Sequence, residues 1–309
     1  MRIVVTGGAG FIASQIVDAY IHRGHEVHVF DDFSSGQKSN LNAQATLHQI
    51  DIAEREAGDR IARIRPDILN HHAAQMDVRH SVADPAFDAR VNILGFIHLL
   101  EACKNAGVKK VLFASSGGAV YGEQEVFPAA ESHVTRPASP YGVSKLAGEL
   151  YLSYYHQAFA MPYIALRYAN VYGPRQSTRG EAGVVAILLS LLLSGKTPVI
   201  NGDGRQTRDY VYVGDVVAAN VAALEADFVG PINIGTGVET DVVTLFKHLR
   251  DAVGVPRAEA QHGPAKIGEQ RRSSVDATRA AERLGWRPKV ALAEGLRRTA
   301  AYYQETMVR

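Results

Sequence analysis

The 309-residue chain has little sulfur: one cysteine and four methionines. A single cysteine excludes an intrachain disulfide, so stability has to come from a packed core. It also fits a reducing compartment, and the cytoplasm is the expected location. Cys103 lies in the apolar helical run FIHLLEACKNAG and reads as a core residue. Long hydrophobic runs are missing too. No stretch reaches the roughly 18 uninterrupted apolar residues of a membrane span. GVVAILLSLLLSG comes nearest, but it is short and flanked by a polar loop and a turn. The first apolar run is brief and leads into glycines, so no signal peptide is expected. Charge of one sign is not in excess, with 33 Lys and Arg against 32 Asp and Glu. Without a polybasic block, neither nucleic acid nor a membrane surface is an expected partner. Internal repeats and low-complexity segments are absent.

What is present is an alternation. Residues 2 to 6, RIVVT, form a short β-branched run, read as a buried strand. GGAGFIA follows and opens a helix to about Arg23. Glu26 to Phe30 make a second strand. This is a βαβ unit in about thirty residues. Gly7 and Gly10 would let the backbone approach a pyrophosphate, which the helix N-terminus then stabilises. Ala13 stands where a third glycine is usual, and it is small enough for close helix–strand packing. Asp31 ends the second strand, where a carboxylate accepts from adenosine ribose hydroxyls and repels a 2′-phosphate. That favours NAD over NADP.

Further on, Gln49–Ala53 reads as a strand end, with Asp51 and Ile52 framing an adenine edge. DILNHHAAQ carries a strand into a loop, where Ala73 and Ala74 allow close approach to a cofactor. His71 and His72 lack a second cluster at ligand spacing, so no metal is expected. A long helix is expected from Pro85 to Ala106, a strand over KKVLFASS, a helix from Tyr141 to Phe159, and a strand in PYIALRYANVYGPRQ. Such alternation predicts an α/β fold, a doubly wound, mainly parallel sheet with a smaller C-terminal α/β lobe. Gly7, Asp31, Ala73, Ser116 and Tyr168 fall at carboxyl ends of strands, where such sheets bind ligands. Residues 1–172 read as the dinucleotide-binding domain, with 213–235 packing on it. Residues 173–212 and 236–309 read as the substrate lobe, including a strand near Ser273–Val275. Its loops are rich in arginine (Arg175, Arg179, Arg205, Arg208, Arg271, Arg272), whose forks suit a diphosphate.

Tyr141 and Lys145 are four residues apart and share a helix face. A free tyrosine, with a pKa of about 10, is a poor base at neutral pH. Bringing it to about 7 requires roughly 4 kcal/mol of preference for the phenolate. One positive charge about 4 Å away supplies energy of that order at an effective dielectric near 20. Lys145 is placed to be that charge. A serine of the pair Ser115-Ser116 could hold a substrate hydroxyl beside the phenol.

These motifs together, TGGAGFIA, HHAAQMDVRHS, VNILG, SSGGAVYG, PYGVSK, LRYANVYGPRQ, NGDGRQTRDYVYVGD and INIGTG, make the chain resemble the extended short-chain dehydrogenase/reductase family over essentially its whole length. Within that family it is most similar to NAD-dependent nucleotide-sugar epimerases acting on UDP-glucose. The resemblance implies inversion at C4 of a UDP-hexose through a 4-keto intermediate, tightly held NAD, a place in galactose metabolism and a homodimer formed through a four-helix contact. It implies Ser116, Tyr141 and Lys145 as the catalytic set. Ser115 is the alternative serine, because the glycine-containing loop is one residue longer than in some relatives. Gly7, Gly10, Phe11 and Ile12 then lie under the pyrophosphate, Asp31 and Asp32 at the ribose, and Asp51 and Ile52 near adenine. Ala73, Ala74, Asn92 and Tyr168 complete the cofactor crevice.

On the substrate side the resemblance implies Asn170, Arg208 and Glu269 in the nucleotide-sugar grip, with Val184 and Tyr210 flanking uracil and diphosphate. Two departures stand out. Relatives often carry Arg where this chain has Lys266, which lacks the bidentate fork, and Arg271 is the alternative contact. The position that gates N-acetyl groups maps to Ser273, whose small size implies tolerance of UDP-GlcNAc and UDP-GalNAc. A UDP-glucuronate 4-epimerase and a nucleotide-sugar 4,6-dehydratase are the rival enzymes. Dehydratases place acids just after the catalytic Ser or Thr, where this chain has Gly117 and Gly118. A non-catalytic dinucleotide sensor, the rival of another class, would be free to lose the Tyr–Lys pair.

Overall fold

The computed structural model describes residues 1–178, 183–265 and 270–307. The chain begins with β1 (Arg2–Thr6), α1 (Phe11–His22), β2 (Glu26–Asp31), β3 (Thr46–Gln49), α2 (Arg55–Ile64) and β4 (Ile68–His71). Short helices α3 (Val78–Ala83) and α4 (Pro85–Ala89) follow, then a π-helical stretch (Arg90–Gly95) that runs into α5 (Phe96–Ala106). Next come β5 (Lys110–Ser116), α6 (Pro140–Phe159), β6 (Tyr163–Tyr168) and β7 (Asn170–Tyr172). The remainder is α7 (Val184–Leu193), β8 (Val199–Asn201), β9 (Thr207–Tyr212), α8 (Val213–Glu225), β10 (Gly230–Ile234), β11 (Glu239–Asp241), α9 (Val242–Val253), β12 (Gln261–Gly263), α10 (Thr278–Leu284) and α11 (Leu292–Met307).

Seven strands make one sheet in the order β10-β6-β5-β4-β1-β2-β3, every neighbour parallel. Strands buried on both faces read as continuous apolar runs; Ile3, Val4 and Val5 of β1 are fully buried. The chain moves outward from β1 through β2 to β3, then returns to the other side of β1 with β4. That reversal puts a switch point, the usual ligand crevice, between β1 and β4.

Alternation along the strands sorts side chains between two layers. Ile3, Val5, Leu112, Leu166 and Ile234 pack with α1 and α8. Val4, Leu69, Val111, Phe113 and Ala165 pack with α2, α5 and α6. Cys103 is buried in the second layer, and burial pushes its thiol up. A third core joins α7, α9 and α11 to Tyr172 and Tyr210. Beside it lie the sheet β11-β9-β7 and the pair β12-β8.

Three local differences from the sequence reading have physical causes. The expected helix from Pro85 to Ala106 is continuous but widens into a π turn at Arg90–Gly95. Gly95 lets this turn press on the loop after β3; a Cβ there would lie 3.3 Å from Ala53 Cα and Ile52 O. Residues 273–275 form no strand: Val275 makes only an isolated bridge to Ala129. Finally, Ala280 and Trp286 join the core beneath the main sheet, so this part of 236–309 packs on the first domain.

Candidate active site

The glycine-rich turn sits over the switch point. Gly7 has a φ of 68° and donates its N–H to Phe30 O at 2.7 Å. A Cβ there would lie 2.8 Å from Ala73 N, so only glycine lets the turn after β1 touch the loop after β4. Gly10 is the N-cap of α1; the helix start has no side-chain cap and no acid in its first turn. Backbone N–H groups of Phe11 and Ile12 thus open a helix whose positive end carries no competing anion, an arrangement that suits a pyrophosphate.

Asp31 is buried and braces this turn. Oδ2 accepts from Ala9 N and Oδ1 from Phe33 N, both at 2.9 Å. Burial raises its pKa while the two backbone donors oppose that rise. Each oxygen keeps acceptor capacity for ribose hydroxyls. A Cβ on Gly36 would come within 2.7 Å of Asp31 Oδ1, so glycine keeps the carboxylate uncovered on that side. Asp32 is exposed and accepts from Ser34 N and Oγ. Asp51 is exposed, with Oδ1 accepting from Ala53 N. Ile52, by contrast, is 4 % exposed and its side chain belongs to the second core layer, so only its backbone edge can meet an adenine.

Beyond β4, Ala73 N donates to Thr6 Oγ1 at 3.0 Å. Ala73 and Ala74 are partly exposed beside the glycine turn. His72 Nε2 meets Tyr168 Oη at 3.1 Å, whereas its buried Nδ1 has no hydrogen-bond partner among the described residues. Burial and the charge of Lys145 lower the His72 pKa to about 3, so the ring is neutral. Asn92 does not face open space. Its Oδ1 accepts from Gln75 N and its Nδ2 donates to Gln75 O, clamping the loop after β4. Tyr168 also departs from expectation. Its backbone ends β6, but its side chain turns into the α1/α8 layer, where the hydroxyl accepts from Asn220 Nδ2 at 2.8 Å.

Helix α6 carries the expected pair. Ser139 caps it by accepting from Gly142 N at 3.1 Å, and Pro140 fixes its first turn. Gly148 lets α6 lie on the sheet; a Cβ would sit 2.6 Å from Phe113 Cζ. Tyr141, Lys145 and Glu149 follow at intervals of four on one face. Tyr141 is half-buried and Lys145 is 4 % exposed. Lys145 Nζ donates to Ala114 O at 2.8 Å and lies 5.7 Å from the Tyr141 ring centre. Burial lowers the ammonium pKa to about 8, opposed by the charge of Asp88.

Strand alternation separates the two serines. Ser115 faces α6 and donates to Glu149 Oε1 at 2.5 Å. Glu149 in turn pairs with the buried Arg167 at 2.6 Å, and Arg167 Nη1 donates to Tyr121 Oη. Ser115 is therefore engaged beneath the site. Ser116 lies on the other face at the strand's end and is partly exposed. A Cβ built on Gly118 would have Ser116 Oγ and Asn170 Oδ1 within 4 Å, which brings Ser116 and Asn170 to one place.

The substrate-side residues divide. Asn170 and Arg208 are partly exposed, and Arg208 Nη1 donates to Thr207 O at 2.7 Å. Val184 and Tyr210 pack in the third core, Tyr210 being 5 % exposed. Ser273 is buried. Arg271 is not a free fork: both terminal nitrogens pair with Asp203 at 2.9 Å. Lys266 and Glu269 lie outside the described residues. The sequence reading missed Asp88, Ser144, Glu149 and Arg167, which lie around the Tyr–Lys pair; the contacts Asp88–Ser144 and Glu149–Arg167 join separate elements and leave no local signal.

A dinucleotide crevice at the switch point of a parallel sheet, with a Tyr–Lys pair on the next helix, defines a nicotinamide-dependent enzyme. The chain belongs to the NAD dependent epimerase/dehydratase family, whose model matches residues 3–235. It is 46 % identical over 310 residues to the UDP-glucose 4-epimerase of Mycolicibacterium smegmatis, covering 98 % of this chain and 99 % of that one. The UDP-glucose 4-epimerase of Thermotoga maritima, solved with UDP-glucose, superposes with a TM-score of 0.97 at 47 % identity, over 99 % of this chain and 100 % of that one. The UDP-glucose 4-epimerase of Thermus thermophilus, solved with NAD, gives 0.92 at 41 % identity, over 98 % and 99 %.

Proposed function

We propose that this chain inverts C4 of a UDP-hexose, interconverting UDP-glucose and UDP-galactose. The observation that carries the reading is the Lys145 ammonium held 5.7 Å from the Tyr141 ring and bonded to Ala114, two residues before Ser116. Near-complete coverage of two epimerases at 46 and 47 % identity supports it.

The turn Gly7–Gly10 and the N–H groups of Phe11 and Ile12 seat the pyrophosphate of NAD, and Asp31 takes the adenosine ribose, with Asp32, Asp51, Ala73 and Ala74 at the rim. NAD held there would supply a hydride acceptor for C4 and, once reduced, a hydride donor to either face of the keto sugar. Tyr141 takes the proton of the 4-hydroxyl and gives it back. Lys145 favours the phenolate by its charge. Ser116 holds the reacting hydroxyl, with Ser115 engaged by Glu149. Asn170 and Arg208 hold the nucleotide-sugar, leaving the sugar loosely bound so that it can turn. Gly117 and Gly118 have no side chain to move a proton, which disfavours a dehydratase.

The buried Ser273 is small, and acceptance of UDP-GlcNAc is part of this proposal. Arg271 is spent on Asp203, so it is not assigned to the diphosphate. Residues 1–172 with 213–235, which carry α8 and β10, are assigned to the cofactor domain, and α7, α9 and α11 with their short strands to the substrate lobe. Val143, Leu150, Tyr151 and Tyr154 expose an apolar stripe on α6; this stripe supports a homodimer in which a second copy would cover it. Among the described residues no helix is long and apolar enough to cross a membrane. A cytoplasmic place in galactose metabolism is part of this proposal.

The test is incubation of purified protein, without added NAD, with UDP-glucose, UDP-GlcNAc and UDP-glucuronate in turn. Product NMR should show inversion at C4 of UDP-glucose. Turnover of UDP-glucuronate alone would overturn the substrate assignment, and no inversion with any of them would overturn the activity.

A further inference from the structure

Asp88 on α4 is fully buried, yet the reaction outlined above gives it no part. Its Oδ2 accepts from Ser144 Oγ at 2.5 Å. Its Oδ1 accepts from Asn92 Nδ2 at 3.0 Å and Gln75 Nε2 at 3.1 Å. One carboxylate thus joins α6, the π turn and the loop after β4. These three donors are neutral, so they solvate the charge without cancelling it. Ser144 immediately precedes Lys145, so the acid is anchored to α6 one residue from the lysine.

Among the described residues, the other titratable groups around Lys145 do not supply a counter-charge. His71 and His72, at the end of β4, are held neutral by burial and by the lysine's own charge. Tyr141 shares the helix face and is the group to be ionised. Glu149, one turn on, is paired with Arg167. Asp88 is the carboxylate whose charge acts on Lys145 against the effect of burial.

We propose that Asp88 is a positioning residue for the Tyr141–Lys145 pair: its buried charge, anchored by neutral donors on α6, the π turn and the loop after β4, sustains the Lys145 ammonium. The catalytic consequence rests on the epimerase reading; the titration consequence does not. Asp88→Asn keeps the size of the side chain and removes its charge. Ser144→Ala keeps the charge and removes one bond.

The experiment follows tyrosinate ultraviolet absorbance against pH in the NAD-bound protein, subtracting the matching Tyr141→Phe variant to isolate Tyr141. In Asp88→Asn the Tyr141 transition should move up by about one pH unit, with an approximately tenfold lower kcat on UDP-glucose at pH 7 and KM unchanged. In Ser144→Ala the transition should stay in place. Coincident titrations of wild type and Asp88→Asn would overturn the proposal, as would equal shifts in the two variants, which mark a purely structural role. If Asp88→Asn does not fold, the carboxyl carbon resonance of Asp88 in the wild-type protein decides. An ionised carboxylate at neutral pH supports the proposal, and a neutral acid overturns it. Wild-type protein inert toward UDP-glucose would sink the epimerase reading while the titration still judged Asp88.

Discussion

Lys145 donates from Nζ to the carbonyl oxygen of Ala114 at 2.8 Å, which ties α6 to the C-terminal end of β5. The bond fixes a charge, not merely a side chain. An ammonium at this depth is costly, and its pKa falls to about 8 from the ordinary 10.5 because burial disfavours the charged form.

The sign of the resulting pH dependence is definite. Between about pH 8 and 10.5 the unfolded chain binds a proton at Lys145 that the folded chain does not, so this group's contribution to stability rises with pH. Below pH 8 the penalty is fully present, at about 3 kcal/mol. Lys145→Met should therefore be more stable than wild type at pH 7, with the gain shrinking as pH rises through that window. Urea unfolding at several pH values measures it, and a constant difference would contradict the assignment.

Gly7→Ala should lose the cofactor. The new Cβ would meet Ala73 N at 2.8 Å in a backbone with φ of 68°. The left-handed conformation alone costs about 1–2 kcal/mol, and the backbone contact adds to it. Nucleotide released on denaturation should drop to a small fraction of the wild-type amount. Full retention would show that the turn can shift.

Glu149→Gln removes the charge that pairs with Arg167 inside the protein. Breaking one half of a buried ion pair costs about 3–5 kcal/mol, because the partner charge is left uncompensated. Combining it with Arg167→Met should recover much of that loss. Thermal and urea unfolding of the two single variants and the double variant give the comparison.

Leu150 is 64 % exposed at the centre of the apolar stripe on α6. Leu150→Glu should turn a dimer into a monomer without unfolding it, read by light scattering at micromolar concentration. A monomeric wild type would remove the dimer proposal.

The legible parts of the fold were those with local periodicity. The first βαβ unit and α6 announce themselves through apolar spacing and terminal glycine or proline, and α8 through apolar spacing alone. Strands β8, β11 and β12 have three residues each, too few to show a period. The π turn left no mark because the loop it packs against, at Ile52–Ala53, is distant in the chain. The pair Tyr141–Lys145 was readable because four-residue spacing is a helical fact. The choice between Ser115 and Ser116 needed the strand's facing, and Tyr168 misled for the same reason: a strand end gives the backbone's place but not the side chain's direction. Asp88 meets Ser144 and Glu149 meets Ser115 across dozens of residues, which no window along the chain connects.

The sheet's outer strand on the β6 side comes late. Gly230–Ile234 pairs with Ile164–Tyr168, so until that stretch has left the ribosome, β6 presents an unpaired edge to its surroundings. Synthesis runs from the N-terminus, and the nucleotide-binding half therefore stays open-sided while α7 and α8 are still being made. A nascent chain cut short near Tyr172 would carry all its cofactor motifs and still offer other strands a place to add.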